Sequence, residues 1–315
     1  MTVSEPARPS AVTARAPAKI NLTLDVFSKR ADGYHSIASI FQAVSLHDTV
    51  TVNHLPEGEW RFTCDAPPGI LVPVDETNLA HRAARAVMEA AGSAASLHIH
   101  LVKRIPSQAG LGGGSSDAAA ALLAVDALLS LQTPPDLLRD LAASLGSDVP
   151  FFLTGGAATA RGRGEILSPL SDLPQWWFVI VKPPQSVSTA WAYNALDSNP
   201  QRSSYRATAR VQQAIEQQDW ERVTAWQCND FELPVFEAMP EIAWVHDELR
   251  MAGAVAAHLC GSGSAVYGLM PSESAARSAA RLLRGRYPGV HVARSLTRSE
   301  SHPLSDVPIP LEDPS

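Results

Sequence analysis

The folded part of the chain opens with alternation. Ile20, Leu22 and Leu24 are interleaved with Asn21, Thr23 and Asp25, the period-two pattern of a strand with one buried face. The turn formers Lys29-Arg-Ala-Asp-Gly33 follow, and residues 37–52 again read as extended. Residues 78–91 carry Leu79, Ala83, Ala86 and Val87 on one helical face and stop at Gly92. Leu97, Ile99 and Leu101 alternate with His98 and His100, which predicts a further strand with both histidines on its exposed face. A glycine-rich loop then leads into an Ala/Leu helix over about 116–131, and a helix over 136–145 ends at Gly146.

Composition shifts near residues 167–174. Beyond it, residues 176–182 (WWFVIVK) read as a buried strand, and two or three helices span 203–252. Short apolar runs at 254–259 and 265–270, a helix over 272–284 and a strand over 290–293 complete the pattern. The order strand, helices, strand, strand, helix, strand resembles a split β-α-β sandwich. Strands and helices in irregular order predict an α+β fold rather than a doubly wound parallel sheet. The expected division is 12–165 and 166–297, flanked by loose Pro/Ser/charge-rich tails at 1–11 and 298–315.

Length agrees with that division, since 315 residues at roughly 150 per domain give about two domains. Hydrophobic residues at 45% and charged residues at 18% supply a core. Lys and Arg number 25 against 32 Asp and Glu, a net charge of -7. That balance argues against a general nucleic-acid or anionic-membrane binder and leaves room for a local basic pocket. Cys64, Cys228 and Cys260 are too scattered for a disulfide framework or a C-x-x-C metal pair, so a reducing compartment fits. Apolar stretches such as 118–125 fall far short of the ~20 residues that span a bilayer. The N-terminus has no apolar signal core. A cytoplasmic protein is expected.

Candidate chemistry centres on Pro106-Ser-Gln-Ala-Gly-Leu-Gly-Gly-Gly-Ser-Ser-Asp117. Its four glycines, Gly110, Gly112, Gly113 and Gly114, let the backbone take left-handed conformations and let a ligand approach unhindered. The helix start that follows points free N–H groups at an anion, typically a phosphate. Ser115 or Ser116 could also meet a magnesium ion held by the same phosphates. The string is neither G-x-x-x-x-G-K-[ST] nor G-x-G-x-x-G, because Ser115 stands where those patterns need lysine or glycine. Its plain alternative is a tight strand-to-helix turn with a serine cap.

Lys19 on its own reads as a solvated strand end, and Asp148, before Pro150, as a helix N-cap. Paired, they change meaning. A carboxylate beside a lysine stays ionised and can take a proton from an attacking hydroxyl. The lysine can offset charge on a transferring phosphoryl group. Gly261-Ser-Gly-Ser264 is either a hairpin turn or a second backbone cradle facing the first. Tyr34, His35 and Phe41 are core residues or a site for a planar base, and Tyr193 is a weaker candidate of the same kind. Neither G-x-S-x-G nor H-E-x-x-H occurs.

Taken together, Pro17-Ala-Lys-Ile-Asn-Leu22, the 106–117 string and Leu259-Cys-Gly-Ser-Gly-Ser264 resemble, in order, the motifs of the galactokinase/homoserine kinase/mevalonate kinase (GHMP) superfamily. Lys29-Arg-Ala-Asp-Gly-Tyr-His35, Phe41-Gln42, Leu46-His-Asp48 and Leu145-Gly-Ser-Asp-Val-Pro150 are most similar to members that phosphorylate a cytidine-diphosphate sugar alcohol. The resemblance covers about residues 15–295. It implies a ribosomal-protein-S5-domain-2-like N-terminal domain, a ferredoxin-like C-terminal α/β plait and an active site in the cleft between them.

The implied activity is ATP-dependent phosphorylation of the 2-hydroxyl of a methylerythritol moiety, a step of the non-mevalonate isoprenoid route. ATP is the co-substrate, Mg2+ the cofactor, and no obligate protein partner is implied. Asp148 matches the family's base, Lys19 its partner and Asn21 a contact to the erythritol end. Tyr34 matches an aromatic stacking on the cytosine, His35 a hydrogen-bonding partner at its edge, and Tyr193 falls near an aromatic on its other face. Pro106, Ser107, Gln108, Ala109, Gly110, Leu111, Gly112, Gly113, Gly114, Ser115 and Ser116 match the ATP loop, with Lys103 approaching the nucleotide. Cys260 stands where Ser or Thr is more usual. A mevalonate-type kinase of the same superfamily is the alternative, and a nucleotide binder without catalysis a more distant one.

Overall fold

The computed structural model describes residues 10–198 and 206–306. A long antiparallel hairpin of β1 (Ala11–Lys29) and β2 (His35–His54) is its backbone. Gly33, at φ +85°, makes the turn between them. There follow β3 (Arg61–Asp65), α1 (Leu79–Ala90), β4 (Leu97–Val102), α2 (Gly113–Leu129), α3 (Pro135–Leu145), α4 (Val149–Thr154), β5 (Ala157–Gly162) and β6 (Ile166–Pro169). The rest comprises β7 (Trp177–Lys182), α5 (Thr189–Ser198), α6 (Ala207–Glu216), α7 (Trp220–Ala225), β8 (Cys228–Asn229), α8 (Glu232–Ala238) and α9 (Pro240–Met251), then β9 (Ala256–Leu259), β10 (Val266–Met270), α10 (Glu273–Leu283), β11 (Gly289–Arg294) and α11 (Arg298–Ser301).

Seven strands form the first sheet, five of them in the order β3-β4-β2-β1-β8 with β5 and β6 branching from β2. β5 pairs with the first half of β2 and β4 with the second, while β6 pairs with β5 beyond the expected boundary at 165. The second sheet runs β11-β7-β10-β9, antiparallel throughout. With helices between β7 and β9 and between β10 and β11, this is the split β-α-β arrangement anticipated from the element order.

β1 is much longer than the alternation at 20–24 announces, and its polar positions are not solvated. Asn21, Thr23 and Asp25 are all buried, and for Thr23 and Asp25 the second half of the chain supplies the partners. Thr23 Oγ1 meets Thr208 Oγ1 at 2.9 Å. The Asp25 carboxylate accepts from the N–H groups of Ala207 and Thr208 at 3.1 and 2.9 Å, at the start of α6. The even positions change company along the strand. Ala14 and Ala16 pack beneath α1 and α2, whereas Ala18, Ile20 and Leu22 share a core with Phe178, Ile180 and Tyr267 of the second sheet.

Helix α2 begins three residues before the predicted start, because Gly112 at φ +73° already turns the chain into it. It ends at Ser130, itself left-handed at φ +52°. Residues 298–306 correct the tail expectation. Thr297 and Glu300 form a reciprocal capping box for α11. Gly156 donates its N–H to Ser301 Oγ at 2.7 Å, and Arg15 N–H donates to Pro303 O at 2.8 Å. The segment therefore straps the first sheet from behind. The rest of both expected tails, 1–9 and 307–315, lies outside the described residues. Among the described residues no helix is long and apolar enough to cross a membrane.

The Arg294 guanidinium, 2.8 Å from Glu300 Oε1, is the main reason that this carboxyl sits at about 2, below its unperturbed 4.5; bonds from Thr297 add to it. A depressed carboxylate stabilises the fold above its unfolded value and loses that contribution as pH falls towards the folded one. Glu300→Gln should therefore melt earlier than wild type at pH 7, by roughly 1 kcal/mol. Thermal melts from pH 7 to 2 should show the gap closing below about pH 4.5. A gap that does not change with pH would remove the ionic contribution.

Candidate active site

Two glycine-bearing segments lie backbone against backbone. Residues 106–112 run from β4 to α2, and 260–265 link β9 to β10. Ala265 N–H donates to Ala109 O at 3.2 Å, and a Cβ on Gly110 would fall 1.7 Å from Cys260 O. Gly110 (φ +76°) is thus required both by conformation and by space. A Cβ on Gly112 would come 2.8 Å from the Phe152 ring and 3.2 Å from Lys19 Cγ. The turn and cradle readings of Gly261–Ser264 coincide: the segment is a hairpin turn, and it walls the same site.

Lys19 is held under this junction. Its N–H donates to Leu111 O at 2.9 Å. Its Nζ donates to Asn21 Oδ1 at 2.8 Å, stands 4.9 Å over the Phe41 ring and lies 3.8 Å from Asp148 Oδ2. Asn21 Nδ2 in turn donates to Ser39 Oγ at 2.9 Å, and Ser39 Oγ to Thr23 O. The Lys19 side chain is 5% exposed and that of Asp148 30%. Asp148 occupies the N-cap position of α4, yet its side chain makes no capping bond. The carboxylate faces the cleft instead.

That cleft, about 780 Å3, contains Lys19, Asn21, Tyr34, His35, Asp148 and Tyr193 in its lining. A second cavity of about 390 Å3 lies between residues 71–79 and the 105–114 loop. Gly110, Gly112 and Ser115 border both. The N–H groups of Gly113, Gly114 and Ser115 precede the first intrahelical bond, from Ser116 N to Gly112 O at 2.9 Å. A phosphate at this wall would meet unpaired backbone donors and the positive end of a 17-residue helix.

His35 is buried, its Nε2 2.9 Å from Asp197 Oδ1. It stacks on Tyr193 with ring centroids 4.7 Å apart, and Tyr193 meets Phe231 edge-on at 4.9 Å. One face of Tyr193 is therefore covered by His35. Tyr34 is 57% exposed, with the Arg163 guanidinium 5.1 Å from its ring centroid. Burial, then the Asp148 charge, pushes the Tyr193 hydroxyl up to about 12, so it remains a neutral wall of the cleft near neutral pH.

Pro106, Ser107, Gln108, Ala109 and Leu111 line the second cavity with the loop glycines. Ser115 borders both cavities, whereas Ser116 is fully buried with an unpaired Oγ and borders neither. Lys103 borders the second cavity, but its ammonium is taken up by Asp48 and Asp117. Sequence reasoning gave those two carboxylates no role. It also passed over Asn229, whose Nδ2 donates to Leu259 O and Gly261 O, both at 2.8 Å, and so holds the second glycine segment. An Asn-Asp pair before a helical run offered only a faint signal for it.

The family described as GHMP kinases N terminal domain matches residues 78–156, and that described as GHMP kinases C terminal matches 211–289. A 4-diphosphocytidyl-2-C-methyl-D-erythritol kinase from Moorella thermoacetica is 42% identical over 90% of this chain and 99% of its own. The chain belongs to the 4-diphosphocytidyl-2-C-methyl-D-erythritol kinase family. A relative of that family from Pelotomaculum thermopropionicum is 43% identical over 87% of this chain and 94% of its own. A crystal structure of a 4-(cytidine 5'-diphospho)-2C-methyl-D-erythritol kinase superposes with a TM-score of 0.78 at 37% identity, covering 90% of this chain and 99% of that one. A homoserine kinase from Cytophaga hutchinsonii shares the fold at a TM-score of 0.73 and 20% identity, with 94% and 98% covered. The kinase-family chain thus has the two-domain GHMP architecture implied by its motifs.

The packing at Gly110 is directly testable. Gly110→Ala should lower stability by roughly 3 kcal/mol in chemical denaturation, since backbone must move to admit the methyl. Gly114→Ala, whose Cβ would meet nothing nearer than 3.7 Å, should be neutral or stabilising by roughly 0.5–1 kcal/mol. Equal effects would disprove the close approach.

Proposed function

We propose that the protein transfers the γ-phosphoryl group of ATP to the 2-hydroxyl of 4-diphosphocytidyl-2-C-methyl-D-erythritol, giving the 2-phosphate and ADP. The observation that carries this reading is the Lys19–Asp148 pair, 3.8 Å apart, beside the glycine wall that two cavities share. ATP would lie in the smaller cavity with its triphosphate along the loop. The cytidine-bearing acceptor would fill the larger one, its base against the free face of Tyr34 and its erythritol end near Asn21.

In the transfer, the acceptor oxygen–phosphorus bond forms while the β–γ bridge bond breaks and ADP departs. Asp148 takes the hydroxyl proton, and Lys19 offsets negative charge on the phosphoryl oxygens. Holding both substrates in line accounts for much of the acceleration, of order 7–11 kcal/mol for well-oriented groups. Among the described residues no group of three or more His, Cys, Asp or Glu side chains is placed to hold a metal. A magnesium ion would be held largely by the phosphates and water, with the Ser115 hydroxyl, which borders both cavities, the protein group at hand. When bound it would neutralise phosphate charge. The reaction belongs to the non-mevalonate isoprenoid route and suits the cytoplasm, where ATP is supplied. Mevalonate kinase from L. major shares only the fold, at 14% identity.

Purified protein should release ADP only when the cytidine-bearing acceptor is present. Asp148→Asn should lower kcat by about 10²–10⁴ with both KM values little changed; wild-type turnover would remove Asp148 from the base role. Tyr34→Ala should raise the acceptor KM and leave the ATP KM alone. An unchanged acceptor KM would refute the stacking contact.

A further inference from the structure

We infer that Asp48, Lys103 and Asp117 form a buried ionic clasp that fixes the shape of the phosphate loop, so that Lys103 is a positioning residue rather than a nucleotide contact. The inference rests on the reading of residues 106–116 as the ATP loop. Lys103 Nζ donates to Asp48 Oδ2 and to Asp117 Oδ2, the latter at 2.7 Å. The three side chains are 5%, 0% and 4% exposed. Asp48 Oδ1 accepts the N–H groups of Arg104 and Ile105 at 2.5 and 2.8 Å. One carboxylate therefore grips the backbone just before the loop, the other sits just after it in α2, and one ammonium joins them.

The loop rests on this clasp. A Cβ on Gly113 would be 3.2 Å from Lys103 Nζ and 3.0 Å from Ile105 Cγ2. Gly113 carries one of the N–H groups that precede the first bond of α2. Its direction is thus set by contact with the groups below. Burial opposes the Lys103 charge, yet Asp117 and Asp48 together raise its pKa, so the ammonium persists.

Stability is a poor reason for such an arrangement. Taking three ionisable groups out of water is costly, and well-packed apolar residues of similar size often do as well or better. Geometry is a better one. A glycine-rich segment left to itself has wide conformational freedom. Backbone donors stabilise a phosphate only when already aimed at it. Fixing both stems of the loop to one point supplies that aim.

A direct role and a positioning role for Lys103 predict opposite results for Asp117→Asn, which preserves shape and removes one of the two carboxylates. If Lys103 touched ATP, releasing it from a competitor would leave nucleotide affinity unchanged or improved. If it positions the loop, affinity falls. The experiment measures Kd for a fluorescent ATP analogue by direct titration, without acceptor, for wild type, Asp117→Asn, Lys103→Met and the double variant, alongside the acceptor KM.

The expected result is a rise in nucleotide Kd of about tenfold or more for Asp117→Asn. The acceptor KM should stay within about twofold, and the double variant should be no weaker than the weaker single one. Wild-type nucleotide affinity in Asp117→Asn with a lowered melting temperature would overturn the clasp in favour of a purely structural ion pair. Should Lys103→Met fail to fold, the near-isosteric Asp117→Asn still decides the matter. Wild-type protein that binds nucleotide but phosphorylates no cytidine-bearing acceptor would defeat the proposed activity and leave the clasp standing. Wild-type protein that binds no nucleotide would overturn both.

Discussion

A backbone carbonyl, that of Cys260, occupies the space where a side chain on Gly110 would begin. This contact joins the loop of the first sheet to the hairpin of the second, and the arrangement of the site follows from it. Because the two segments touch, the β9–β10 hairpin closes over Lys19; because they touch without side chains between them, the wall they form presents peptide groups to the cleft. Asn229 keeps the Cys260 side in place through Leu259 O and Gly261 O, and β8, which carries it, pairs with Thr23 and Leu24 of β1. The strand bearing Lys19 is thereby bound to both halves of the molecule. Tyr267 adds a further tie, its buried hydroxyl donating to Asn21 O across the shared core.

Electrostatically the site is layered. Above the loop lie the open N–H groups at the start of α2 and, to one side, the Lys19 ammonium. Below it lie two carboxylates that would repel a phosphate were they not matched by Lys103. Asp117 and Asp48 raise the Lys103 pKa against the cost of burial, so its ammonium persists and offsets their charge under the loop. Favourable partial charges therefore face the cavities, while the Asp48 and Asp117 carboxylates are paired with Lys103 beneath the loop. The chain's net charge of -7 is no obstacle to a phosphate substrate, because that balance describes the whole surface and not this wall.

Local signals were legible in the sequence where local physics decides. Gly92 and Gly146 mark helix ends because a left-handed turn or a stop is a property of a few neighbouring residues. The glycine string announced a close backbone approach, although not what would approach. Long-range partnerships were not legible. Thr23 and Asp25 look solvent-facing until Ala207 and Thr208 arrive to bond them. The clasp joins residues 55 and 14 positions apart in no recurrent pattern. The strap at 298–306 did carry a local sign, the Thr297-x-x-Glu300 capping box, but its Pro- and Ser-rich surroundings weighed against it.

The spacing between Lys19 and Asp148 is informative for the same chemical reason that it is not tighter. A general base must take a proton, and a carboxylate held in a close, fully dry ion pair is a poor acceptor because the lysine charge favours its ionised form. Here the ammonium makes its short bond to the neutral amide of Asn21, at 2.8 Å, and leaves Asp148 at 3.8 Å. Phe41 beneath and Leu111 behind fix the lysine independently of the carboxylate. Asp148, 30% exposed on the cleft side, keeps room for an incoming hydroxyl. One strand, by holding its lysine through a neighbouring asparagine, leaves the opposing carboxylate available for chemistry.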